Sequence, residues 1–140
     1  MKKYHILKFV ILVVFLSIGI ELLYAQNAKN NLTFILKKYD SGKIFMNLPT
    51  GEKYVEFKIT GFDNQSQIDS LTKQIARYRG VTSFIISNEV VDNTRTGKLT
   101  CYKYADNLLY YKHLFFVNNI NQLIVDGKEV LTKNLLDIEK

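Results

Sequence analysis

The stretch that most constrains the fold runs from Ile59 to Val81 and reads ITGFDNQSQIDSLTKQIARYRGV. Its apolar residues recur at steps of three and four, which places them on one side of a helix. These residues are Ile68, Leu71, Ile75 and Tyr78. Ser66 followed by Asp69 fits a capping box at the helix start, and Gly80 supplies a residue that tolerates the positive φ of a helix end. The stretch therefore predicts the end of a strand, a polar loop, one amphipathic helix and a second strand.

Further strand and helix patterns surround this unit. In the strand from Tyr54 to Thr60, apolar and polar residues alternate, as in a strand with one buried face. The patterns that follow predict strands at Thr82–Ser87, Lys98–Tyr104 and Gln122–Val125, a turn at Asp126-Gly127 and a partly helical tail at 132–140. Leu108–Val117 fits either a helix or a strand, and the common strand–helix–strand–strand–helix–strand order favours a helix. The expected fold for 52–131 is α+β, a ferredoxin-like βαββαβ sandwich with an antiparallel sheet and two helices on one face.

The beginning of the chain has the layout of a secretory signal peptide. Lys2, Lys3 and Lys8 precede an apolar run from Phe9 to Ile20, and Ala25 marks the expected cleavage point. The apolar run is shorter than the ~20 residues of a transmembrane helix. We therefore expect export to the periplasm or beyond and no stable membrane insertion after cleavage, with a retained N-terminal anchor as the alternative.

Residues 26–51 are predicted to form an N-terminal extension. Leu32–Tyr39 and Lys43–Leu48 are β-leaning runs on either side of the turn signal Asp40-Ser41-Gly42. Two interpretations fit this pattern: a β-hairpin added to the edge of the main domain, or a loosely held arm. Pro49 and Gly51 then mark a boundary.

Composition excludes several functional classes. The net charge of +6 is spread along the chain without a run of Lys or Arg that would follow phosphates, so nucleic acid is not an expected partner. The single cysteine excludes an intrachain disulfide bond. We found no phosphate-binding glycine loop and no hydrolase or kinase motif, so we expect no enzymatic activity and no cofactor.

From about Val55 to Val130 the chain resembles a heavy-metal-associated domain, the module of copper chaperones and metal-pumping ATPases. That family opens with a strand ending in Gly-Met-x-Cys-x-x-Cys, then a helix, then Pro-Gly-Val. Here Gly61 stands at the glycine, and Asn64 and Gln67 stand at the two cysteines. Phe62 replaces the methionine, and Gly80-Val81 matches the helix exit. The resemblance implies a ferredoxin-like fold with a degenerate metal loop.

The missing cysteines decide the expected chemistry. The family holds Cu(I) between two thiolates because soft cations prefer sulfur to amide oxygen. Asn64 and Gln67 are neutral amides, and helix capping explains Asp63 at the loop tip better than a role as a ligand. The weak candidates for other metal ligands are Cys101, which is expected to fill the core, and His113, which is expected to lie at the surface.

These observations predict an exported, non-catalytic binding or interaction module, accessory to metal handling in the cell envelope. The alternative is a metal carrier that uses Cys101 and His113 as non-standard ligands, with further ligands across a dimer. A protein partner would bind an edge of the sheet or an aromatic surface. The residues expected to form that aromatic surface are Tyr102, Tyr104, Tyr110 and Tyr111.

Overall fold

A computed structural model describes residues 32–139 of the chain. The predicted signal peptide, residues 1–25, and the first residues of the predicted extension, 26–31, lie outside this range. Among the residues described, no helix is both long enough and apolar enough to cross a membrane.

The described chain contains seven strands, two α-helices and a terminal 3₁₀ helix. In order these are β1 (Thr33–Leu36), β2 (Met46–Asn47), β3 (Lys53–Thr60), α1 (Gln65–Ala76), β4 (Val81–Ile86), β5 (Arg95–Cys101), α2 (Leu108–Val117), β6 (Gln122–Val125), β7 (Lys128–Leu131) and the 3₁₀ helix (Thr132–Glu139).

The strands form one mixed sheet in the order β4-β5-β3-β1-β6-β7, with β2 also paired to β3. The predicted α+β class is confirmed. The predicted antiparallel sheet is wrong, because β1 runs parallel to β6 while it runs antiparallel to β3. The ferredoxin-like arrangement is not confirmed: in the part of the chain described, the sheet has more strands than the expected four, and β1 lies between β3 and β6.

Strand β1 is neither a hairpin arm nor a loose extension. Phe34 is opposite Ile59 of β3 on one side and opposite Leu123 of β6 on the other. Its side chain is fully buried, with its ring centroid 4.6 Å from that of Phe57. Because the alternation in Thr33–Leu36 directs Phe34 and Leu36 into the core, burial favours an inner position in the sheet over an edge. Strands β1 and β2 each pair with β3 instead of with each other.

The two faces of the sheet differ in what covers them. In β3, Val55, Phe57 and Ile59 are buried whereas Glu56 and Lys58 are exposed. Both α-helices cover the buried face: Arg95 of β5 donates to Gln65 of α1, and the rings of Phe34 and Phe115 of α2 are 5.5 Å apart. We call the opposite side, which carries Glu56 and Lys58, the open face.

The helix predicted at Leu108–Val117 is confirmed with the same bounds. The other boundaries shift by a few residues. β4 begins one residue earlier than predicted and β5 three residues earlier, at Arg95. Helix α1 ends at Ala76, so the prediction that Gly80 ends it is wrong. Gly80 instead provides the positive φ, 89°, of a turn that the Val81 N–H closes on the Tyr78 carbonyl.

The turn predicted at Asp126-Gly127 is present, and it joins β6 to a strand that the sequence reading missed. Both turn residues have positive φ, 51° and 77°, as two-residue hairpin turns of the I′ type require. Strand β7 pairs antiparallel with β6 and is followed by the 3₁₀ helix in the tail.

We predict that Phe34→Ala lowers the free energy of unfolding by about 3–5 kcal/mol, because it empties a fully buried position in an inner strand. Phe116→Ala is the matched control, since the same side chain is 57% exposed there. Its expected cost is below about 1 kcal/mol. Urea unfolding of both variants measures the difference, and equal costs would contradict an inner position for β1.

Candidate functional site

The loop before α1 is a helix cap. The side-chain oxygen of Asn64 accepts a hydrogen bond from the Gln67 backbone N–H at 3.0 Å, and the Gln67 side-chain oxygen accepts from the Asp63 N–H at 2.8 Å. The first bond satisfies the Gln67 N–H, which the helix start leaves without a main-chain partner, and the second ties the Gln67 side chain to the residue before the N-cap. The capping box predicted at Ser66 and Asp69 is wrong, because α1 begins at Gln65 with Asn64 as its N-cap.

This cap uses Asn64 and Gln67, the two positions that the sequence analysis matched to the cysteines of heavy-metal-associated domains. Asn64 is exposed and Gln67 is half-buried. The side-chain oxygen of each accepts a hydrogen bond from a backbone N–H group. Asp63 is exposed next to them, and the prediction that it caps the helix is wrong, because Asn64 is the N-cap. Within residues 32–139, no three His, Cys, Asp or Glu side chains come close enough together to hold a metal ion.

Arg95 adds a positive charge beneath this loop. Its guanidinium lies 4.8 Å from the centroid of the Phe62 ring, and its Nη1 donates to Gln65 at 2.8 Å. The side chain is only 8% exposed. A buried cation this close to the loop opposes the approach of a metal ion. The predicted strand began only at Lys98 and so left Arg95 out; the signal that could have included it was its even spacing from the inward-facing Leu99 and Cys101.

Cys101 lies at the end of β5, where its side chain is fully buried. Burial raises the pKa of the thiol to about 11, and a hydrogen bond with Tyr110 only partly opposes this effect. The thiol is therefore protonated at neutral pH, whereas a soft metal binds the thiolate. This agrees with the prediction that Cys101 fills the core.

His113 lies on the exposed side of α2, whereas Tyr111 and Leu114 of the same helix are buried. Cys101 points into the core and His113 points to solvent, so the fold does not direct the two weak metal candidates toward one site.

The four predicted tyrosines lie together and Tyr78 joins them, but the prediction that Tyr111 belongs to a surface is wrong, because its side chain is fully buried. We define the tyrosine cluster as Tyr78, Tyr102, Tyr104, Tyr110 and Tyr111. Successive ring centroids in this cluster are 5.4–5.8 Å apart. Aromatic pairs at this spacing are attractive beyond the area that they bury.

Two contacts fix the cluster to the turn between α1 and β4. The Tyr110 hydroxyl donates to the Arg79 carbonyl at 2.9 Å, and a Cβ at Gly80 would lie 2.6 Å from the Tyr102 ring. Tyr104 remains 64% exposed at the outer end of the cluster. The cluster therefore combines packed rings with an accessible aromatic surface.

A cavity of about 740 Å³ lies on the open face of the sheet. Its floor includes Ile35, Lys58 and Thr96, which stand side by side in register on β1, β3 and β5. Residues 37–45, which we call the 37–45 loop, form much of its wall. The whole lining comprises Ile35, Lys37, Lys38, Tyr39, Asp40, Ser41, Lys43, Phe45, Met46, Asn47, Glu56, Phe57, Lys58 and Thr96.

The 37–45 loop exists because β1 and β2 occupy the same edge of β3 at separate points. β1 pairs with β3 as far as Phe57, and β2 resumes pairing at Tyr54. In the gap, the Glu56 N–H donates to the Tyr39 hydroxyl at 3.2 Å. A turn closed by the Gly42 N–H on the Tyr39 carbonyl, at 2.7 Å, shapes the tip of the loop.

Four lysines and two carboxylates line the cavity, so its net charge is positive. The Lys38 ammonium donates to the Ile138 carbonyl at 2.8 Å, and the Lys43 ammonium lies 5.3 Å from the Phe45 ring centroid. Lys37 and Lys58 are exposed and form no ion pair with the side chains that the structure describes. Sequence analysis missed this site, because it assigned Lys37, Lys38 and Lys43 to β-leaning runs on either side of the turn signal Asp40-Ser41-Gly42.

We predict that Asn64→Ala lowers the free energy of unfolding by about 1 kcal/mol, because it removes the N-cap acceptor. Asn64→Asp keeps the acceptor and adds a negative charge at the positive end of the helix, so stability should be unchanged or slightly higher. Urea unfolding of the three proteins measures this. Equal losses in both variants would contradict a capping role.

We also predict a pH dependence that belongs to Cys101. Its pKa is raised from 9.0 to about 11 in the folded state, so the native state holds this proton more tightly than the unfolded chain does. The resulting stability is complete below pH 9 and is lost as the pH rises through 11. Between pH 9 and pH 10, the wild type should therefore lose up to about 1 kcal/mol more than Cys101→Ala. If urea unfolding shows that the wild type and Cys101→Ala lose the same free energy of unfolding between the two pH values, the assignment to Cys101 is contradicted.

Comparison of the chain with family models, with curated proteins and with solved structures found no significant match. The function is therefore argued from the geometry of the described residues.

Proposed function

We propose that the protein is an exported, non-catalytic binding module that resembles a heavy-metal-associated domain without its metal ligands. The observation that carries this proposal is the helix cap, in which Asn64 accepts from the Gln67 N–H and the Gln67 side chain accepts from the Asp63 N–H. Their side chains start a helix at the positions where the resembled family presents thiolates. The buried charge of Arg95 and the protonated thiol of Cys101 support the same conclusion.

The order of the elements supports a ferredoxin-like origin for the scaffold. From β3 to β6 the chain follows strand, helix, strand, strand, helix, strand, and β5 lies between β3 and β4. A ferredoxin-like sheet would place β6 directly beside β3. We propose that the module is a variant of this fold in which β1 is inserted between those two strands.

The partner that fits the tyrosine cluster is another protein. Tyrosines are enriched at protein interfaces because a large apolar ring comes with a polar tip and few rotatable bonds. Tyr104 is mostly exposed, and the cluster sits beside the start of β4, which is the last strand on its side of the described sheet. The signal peptide predicted at residues 1–25 supports a partner in the periplasm or outside the cell. An accessory role in metal handling rests on the family resemblance.

The alternative, a metal carrier that uses Cys101 and His113, fits the geometry less well. The thiol is buried and protonated, and the imidazole lies on the solvent side of α2. Binding through these groups would require Cys101 to leave the core or the domain to open.

We predict that the wild type shows no thermal stabilisation by Cu(I) or Zn(II) at many-fold excess under reducing conditions. The variant Asn64→Cys/Gln67→Cys restores the family's two thiols and should gain a Cu(I)-dependent increase in stability. A metal present at 100 times its Kd stabilises by about 2.7 kcal/mol. Before metal is added, the variant should be less stable than the wild type by about 1 kcal/mol, because the N-cap is lost.

Ser70→Cys/Lys73→Cys provides the matched control, since it places two thiols at the same spacing on an exposed part of α1. A saturable shift in the wild type would refute the proposed metal-free module, and its loss in Cys101→Ser would establish the carrier alternative. If the control binds Cu(I) as tightly as the loop variant, the resemblance of the loop to a metal site is superficial.

A further inference from the structure

We propose that the cavity beneath the 37–45 loop binds a small anionic amphiphile, a molecule with one negatively charged head and an apolar body. This inference rests on the proposed function, because it names a class of ligand for the proposed binding module. It uses side chains on the open face of the sheet, whereas the loop that resembles a metal site begins helix α1 on the buried face, so the two proposals can fail separately.

The size of the cavity suits a small ligand. Its volume of about 740 Å³ lies within the range of roughly 300–1,000 Å³ that is common for small-molecule sites. The row formed by Ile35, Lys58 and Thr96 crosses three adjacent strands, a width of about 10 Å at the usual strand spacing. This floor accommodates one extended chain or ring system.

The apolar part of the ligand has suitable neighbours. Ile35 contributes to the floor, and Tyr39 and Met46 contribute to the wall. Met46 is 39% exposed although its side chain is apolar, and an unbranched thioether adapts easily to the shape of a ligand. Covering these three side chains would remove apolar surface from water, which favours binding.

The charged part of the ligand is selected by the lysines. Lys37 and Lys58 have exposed ammonium groups without a carboxylate partner among the described side chains, whereas Lys38 is already bound to the Ile138 carbonyl. Asp40 and Glu56 also line the cavity, but the four lysines leave an excess of two positive charges. This excess attracts an anionic head and disfavours a cationic one.

A peptide strand is a poorer occupant, because the backbone at this site already has its hydrogen bonds. The Glu56 N–H donates to the Tyr39 hydroxyl, and the Tyr39 N–H donates to the Lys43 carbonyl. Addition of a strand needs a row of free backbone groups. Recognition in the cavity must therefore come from side chains, as it does for a small ligand.

The test is calorimetric titration of the chain, produced with its own leader, with decanoate, decanol and decyltrimethylammonium as monomers. We expect saturable one-to-one binding of decanoate, at least about fivefold weaker binding of decanol, and none of the cation. Equal binding of decanoate and decyltrimethylammonium, or no decanoate binding at millimolar concentration, would overturn the proposal whatever the result of the metal titration.

Variants then locate the site. Thr96→Phe fills the floor at an exposed strand position and should weaken decanoate binding at least about tenfold. Lys37→Gln/Lys58→Gln keeps the shape of the cavity and should weaken it about five- to tenfold. Lys73→Gln, on the exposed side of α1, is the matched control and should have no effect. Decanoate binding that neither cavity variant weakens would overturn the assignment.

Vesicles of phosphatidylglycerol separate a free amphiphile from a membrane surface as the source of the anionic head. We expect decanoate binding without co-sedimentation on the vesicles. Co-sedimentation that Thr96→Phe leaves unchanged would place anion recognition on the protein surface instead of in the cavity.

Discussion

The structure depends on the backbone hydrogen bonds that Thr33–Leu36 makes on both of its edges. With β3 on one side and β6 on the other, this strand of four residues joins β4-β5-β3 to β6-β7. An inner strand has no free edge to expose, and β1 is the strand through which β3 and β6 belong to one sheet. The full burial of Phe34 adds the apolar contribution that a segment of this length needs to stay ordered.

The cavity follows from the same register. β3 has eight residues and β1 has four, so β1 leaves part of the β3 edge uncovered until β2 resumes pairing. The intervening chain must leave the plane of the sheet, and the Tyr39 hydroxyl substitutes for the strand by accepting the Glu56 N–H. A length mismatch between two strands therefore places a lysine-rich loop beside the open face, where its positive charges have few carboxylates to neutralise them.

Local patterns in the sequence predicted most of the helices and strands, but they did not predict which strands pair with each other. Alternation identified β3 and helical spacing identified α1, because each pattern reflects burial of one face. The apolar residues of Leu108–Val117 lie on all sides of the helix and show no helical period. The expected order of strands and helices was therefore the only basis on which α2 was predicted correctly. The inner position of β1 depends on pairing with β6, which lies some 90 residues away in the sequence, and a four-residue strand carries no local signal of its neighbours. The cavity was missed for the same reason, since its floor comes from three strands.

The loop before α1 shows why a scaffold of this kind cannot easily keep both a helix cap and a soft-metal site at the same positions. A metal loop must present two thiolates and move to exchange its ion, whereas a cap holds the chain still by accepting backbone N–H groups. Asn64 and Gln67 perform the second task, and Arg95 beneath Phe62 adds a charge that a bound cation would have to overcome. Introducing two cysteines therefore changes more than the ligands, because the helix start loses its acceptors while the arginine remains. The Cu(I) affinity of such a variant would measure the combined cost of these two effects.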